Sequence, residues 1–253
     1  MSALAIASIA FVCVFGGGVL GLFLRSLLPE HHLSEDSIGV VKLGVGLIAT
    51  LSALVLGLLI ASAKGSFDRV NDEFNQTAVN VIMLDRTLAQ YGPETKDARE
   101  LLRRTYASAV DMIFSGDGNG VANWDTPQRL ARWEQFQRKL RELAPGNDLQ
   151  RSYQAEALAL YKDLAQARWL IIEQGGDSMP TPFLVVLVLW LAIIFAGFGL
   201  VTAKNSTVVT VLFLCALSVS GSIFLIEEMN HPLQGLMKIS SAPMLKAVSH
   251  LGE

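Results

Sequence analysis

The sequence predicts an all-α, polytopic membrane protein in which four transmembrane helices flank an antiparallel helical bundle, inserted between the second and third. Three observations carry this. The 253 residues are 51% hydrophobic and 17% charged, but the charges are absent from four runs, 1–24, 43–63, 178–203 and 205–226. Those runs hold 24, 21, 26 and 22 residues, and roughly 20 apolar residues suffice to cross a bilayer core. Between the second and third runs, apolar residues recur at three- and four-residue steps, the period of an amphipathic helix, with no competing strand alternation. Gly92-Pro93, Pro145-Gly146 and Gly175-Gly176 punctuate that stretch.

The same partition excludes several classes. All 43 Lys, Arg, Asp and Glu fall on the other 160 positions, about 27% of them, an ordinary soluble composition. A net charge of −3 lacks the basic excess that a nucleic-acid partner calls for. Only two Cys are present, Cys13 and Cys215, both inside apolar runs, so no disulfide framework exists and each reads as a small packing residue.

Taken in order, the first span covers Leu4–Leu24. It has no basic n-region and no small-x-small cleavage site before Arg25, so it reads as a retained helix and not a cleaved signal peptide. Its Gly16-Gly17-Gly18-Val-Leu-Gly21 string follows no strand and carries no Lys, which points to close helix packing and not to a nucleotide. In the 25–42 connection, Ser34 is an N-cap followed by Glu35 and Asp36, acids suited to the positive end of a helix. His31 and His32 read as a solvated polar turn and not a metal site.

The second span, Leu43–Ala63, carries two rows. Gly46, Thr50, Ala53, Gly57 and Ala61 form a small-residue face suited to helix packing. Leu47, Leu51, Leu54 and Leu58 form the neighbouring face, the candidate lining of a hydrophobic neck. No Pro interrupts the path onward through Phe67, Val70, Phe74, Ala78, Val81, Leu84, Leu88 and Tyr91, so one helix is expected to run from the membrane into the bundle. Three further stripes follow, on 98–114, 130–143 and 153–171. The loop 115–125 is rich in Gly, Asn and Asp, but Ala122 and Gln128 stand where a calcium loop needs Gly and Glu, so it reads as a turn. The spans Phe183–Ala203 and Thr207–Ile226 form a tight hairpin. The expected divisions are 1–63, 64–177, 178–226 and a C-terminal tail, 227–253.

Four spans place the bundle and both termini on one side, which holds 17 of the 20 Lys and Arg; the other holds Arg25, Lys42 and Lys204. The positive-inside bias makes the bundle side cytoplasmic. No nucleophile–base pair, metal cluster or phosphate cradle is recognisable, so neither an enzyme nor a cofactor is expected. No Asp, Glu, Lys, Arg or His lies inside the spans, which disfavours ion-coupled transport and leaves a passive pore. Four helices enclose little, so a pore requires a homo-oligomer. The tail from Phe224 to Leu245 holds Glu227 and Glu228 at the membrane edge, then Pro232, Gly235 and Pro243, and reads as a packing segment.

Leu28-Pro29-Glu30-His31-His32-Leu33-Ser34, the Ala63-Lys64-Gly65-Ser66-Phe67 exit of the second span and the 223–245 tail with Pro232, Gly235, Ser240 and Pro243 resemble the bacterial bestrophin-like family, over nearly the whole chain. The resemblance implies a distant similarity to bestrophins, pentameric anion channels whose second helix lines the pore neck. Bestrophin necks carry aromatics, which the second span lacks, and the animal calcium clasp is unmatched beyond Glu227 and Glu228. No selectivity residue carries over. The expected function is thus an oligomeric passive ion channel, anions being the implied species. The alternative is a non-conducting scaffold or sensor whose bundle binds a partner or ligand.

Overall fold

The computed structural model describes residues 2–29, 34–114, 126–174, 181–233 and 235–252. His31 and His32, the whole 115–125 loop and Gly175-Gly176 lie outside them. Eight α-helices are described: α1 (Ala3–Leu27), α2 (Glu35–Tyr91), α3 (Lys96–Phe114), α4 (Pro127–Glu142), α5 (Asp148–Gln174), α6 (Thr181–Val201), α7 (Ser206–Met229) and α8 (Ala242–His250). Four of these, α1, α2, α6 and α7, are long and apolar enough to cross a membrane. No strand occurs among the described residues.

The helix boundaries follow local chemistry. The Ser2 side chain accepts from the Ala5 N–H at the start of α1, and Asn205 accepts from the Thr207 N–H at the start of α7. At the end of α2, Gly92 takes φ +138°, Pro93 opens the next turn, and the Thr95 hydroxyl donates to the Leu88 carbonyl at 2.6 Å. Carbonyls left open at two other places are met by α5: Gln150 donates to Tyr91 O, and Gln154 to Leu140 O and Leu143 O.

The chain divides into two compact units, Met1–Ser66 with Ser178–His231 and Phe67–Asp177 with Pro232–Glu253. The boundary falls inside α2, whose 57 residues are one uninterrupted helix. In the first unit α1 packs on α6 and α7. A methyl added at Gly17 would meet Ala192 O at 2.5 Å, and one at Gly21 would collide with the backbone of Ala196. The glycine string is thus a small-x-x-x-small seam read against Ala192 and Ala196, with Gly199 facing Gly18 and Gly21. Phe213 of α7 closes the other side, edge-on to Phe11 and Phe15 at 5.4 and 5.7 Å. Cys13 and Cys215, expected to pack, are exposed on the chain's own surface.

The second unit has the core that the stripes predict: Phe74, Val81, Leu84 and Leu88 of α2, Leu102 and Val110 of α3, Phe136 and Leu140 of α4, and Ala157 and Leu164 of α5. The tail adds what the stripes omit. Ile239, Met244, Ala247 and Leu251 are buried in that same core, so residues from Pro232 onward group with the bundle, while 227–231 group with the membrane helices. Asp85, only 1% exposed, anchors this end: Arg99 reaches both its carboxylate oxygens at 2.8 and 2.7 Å, and the Gly252 N–H donates at 3.2 Å. Removing one partner of a buried pair strands the other, so Asp85→Ala is expected to destabilise the bundle by about 3 kcal/mol. Thermal unfolding of the detergent-solubilised protein checks it; a change below about 0.5 kcal/mol would show the pair to be idle.

Candidate functional site

The candidate site lies on the first half of α2, and helical arithmetic shows how it is presented. Within the first unit Ser52, Leu59 and Ala63 are buried and define the face turned toward the rest of the chain. At about 100° per residue, the leucine row and the small-residue row each lie roughly 130° from that face, on opposite sides. Both rows therefore point away from the chain. Leu47, Leu51, Leu54 and Leu58 are 66, 42, 71 and 68% exposed. Gly46, Ala53, Gly57 and Ala61 are exposed too, and a methyl added at Gly46 or Gly57 would meet nothing within 4 Å.

The small row consequently packs against no helix of this chain at those two glycines, while other glycines do so closely. Gly197 of α6 sits against the Val45 side chain. Beside that contact a space of about 260 Å³ opens between α2 and α6, walled by Val45, Gly46 and Ala49 on one side and Gly197, Phe198 and Val201 on the other. Gly46 marks its edge.

Two helix ends of the first unit bring charged side chains into its packing. Arg25, the last-turn cation of α1, donates to Leu200 O at 3.0 Å and Val201 O at 2.7 Å. A guanidinium thus closes carbonyls that the end of α6 leaves open, where the helix dipole favours positive charge. Glu227 and Glu228 are both buried in the last turn of α7. Two adjacent acids at a helix C-terminus run against the dipole, so their placement is set by tertiary packing.

The remaining tail residues each hold backbone. Gly235 takes φ +86°, the left-handed region that favours glycine, and the Ile239 N–H donates to Pro232 O at 2.9 Å. Pro243 sits in the first turn of α8, where a missing N–H costs nothing. The structure therefore brings the leucine and small rows together on one helix but distributes the tail set over both units. Sequence reasoning missed the α6 half of the glycine seam, although Ala192 and Ala196 show the spacing, and missed Arg25 as a cap.

Comparison with known proteins gives the fold a place. The Bestrophin-like domain family model matches residues 12–244. No curated protein matches the chain. Among solved structures, a bacterial bestrophin homologue from Klebsiella pneumoniae carrying a single substitution is similar at TM-score 0.68 and 13% identity, over 96% of both chains. The same homologue phased from zinc is similar at TM-score 0.68 and 12% identity, again over 96% of each. A variant described only as a membrane protein reaches TM-score 0.70 at 13% identity, over 96% of each chain.

Proposed function

The chain belongs to the bestrophin-like family, and from that premise we propose that it is a passive ion channel, built as a ring of identical subunits around the outward face of α2. The ring is a pentamer and the conducted species an anion, as the family resemblance implies. Leu47, Leu51, Leu54 and Leu58 line an apolar neck, and Gly46, Ala53, Gly57 and Ala61 pack against the adjacent copy. The observation that supports this reading is the pair of unpartnered rows on α2, both turned from the chain that carries them. A small row that seats no helix of its own chain can bring a neighbouring backbone close. An apolar neck can hold a pore closed by excluding water until it widens.

The bundle, 64–177, and both termini lie in the cytoplasm of an inner-membrane protein, and the tail from Pro232 locks the bundle. Purified protein in planar bilayers tests the function. Step-like currents are expected; silence under every salt, voltage and tension condition would leave a scaffold or sensor instead. A topology reporter at Gly146 tests the orientation and should be active only on the cytoplasmic side.

A further inference from the structure

We infer that the bundle holds a binding site for one small inorganic anion, at a cavity of about 40 Å³ where its helices converge. The site is separate from the α2 rows and does not rest on the channel reading. Its walls include Thr77 of α2, Thr105 and Tyr106 of α3, Arg132 and Trp133 of α4, and Arg168 of α5. Thr77 Oγ1, Thr105 Oγ1 and Tyr106 Oη are buried hydroxyl oxygens without a hydrogen-bond partner. Three such groups among the residues lining one cavity are unusual, because buried polar groups nearly always find partners.

Size and charge together select the ligand. One water-sized body needs roughly 10–15 Å³ of such space, so about three fit and an organic metabolite does not. Among the described residues the lining carries Arg132 and Arg168 and no carboxylate, which favours an anion over a metal cation. Arg168 is itself buried, its guanidinium 5.7 Å from the Trp169 ring, while Arg132 is exposed at the rim. Burial pushes the Tyr106 phenol above its ordinary pKa, so it stays protonated and can donate. Apart from Ser108, the rest of the described wall, with Ala109, Trp133, Leu164 and Met244, is mostly apolar and suits a weakly hydrated, polarisable ion.

Bromide is the probe. The full chain in lipid nanodiscs is titrated with sodium bromide while gluconate, too bulky for the cavity, keeps ionic strength constant, and tryptophan fluorescence is followed. A saturable change is expected, above the linear collisional quenching of exposed Trp169. Thr105→Val with Tyr106→Phe, nearly isosteric changes that delete two unpartnered hydroxyls, should weaken the saturable phase at least about tenfold. Arg132→Gln, at the exposed rim and without risk to folding, should weaken it about threefold. Bromide anomalous scattering from crystals should peak beside Thr105 and Tyr106. Purely linear quenching, or a saturable phase that all three substitutions leave unchanged, would overturn the site and leave the cavity to water.

Discussion

Leu51→Ser combined with Leu54→Ser is expected to raise the resting current of the reconstituted protein by at least about tenfold. A neck of leucines resists ion passage because water within it has no hydrogen-bonding wall, and each serine supplies one. Lowering that barrier by about 1.4 kcal/mol already gives a factor of ten. The substitutions cost the chain's own packing little, since both side chains are exposed on its surface, Leu54 more than Leu51. Leu189→Ser on α6, an equally exposed apolar position on another membrane helix, is the control and should leave the current unchanged. Equal currents from the double variant and the parent would remove the leucine row from the pore, while the family membership and fold would stand.

Gly21→Ala is expected to be the most damaging single methyl in the membrane unit. Its Cβ would lie against the Ala196 backbone, and neither helix can yield without moving as a body. Overpacking of this kind costs about 1–3 kcal/mol, with more when backbone is the obstacle. Gly16→Ala, five residues earlier on the same helix, meets nothing within 4 Å and should be neutral or slightly stabilising. The midpoint of thermal unfolding, read for both variants in the same detergent, decides the matter. Equal midpoints for the two variants would mean that the α1–α6 seam does not set the stability there.

How far each feature could be read before any coordinates depended on whether its cause was local. The stripe Phe74, Ala78, Val81, Leu84 and Leu88 identified the bundle core because one helix carries the whole period. The end of α2 at Gly92-Pro93 was legible because backbone conformation is set by the residues that adopt it. The tail was not: Ile239, Met244 and Ala247 give too short a pattern to reveal that a core 100 residues away in sequence, around Leu140, was waiting for them. The three hydroxyls at the bundle cavity were equally hidden, since Thr77, Thr105 and Tyr106 come from two helices and each looks ordinary alone.

By itself, the sequence determined the four uncharged spans, the all-α class and the punctuation between helices, because length, period and turn chemistry act within a few residues of their cause. Only the tertiary structure decided which glycines are contacts. Gly17 and Gly21 meet a backbone, and Gly46 and Gly57 meet open space. All four are glycines on apolar helices, and what separates them is the neighbour that packing places, or does not place, across from the missing side chain.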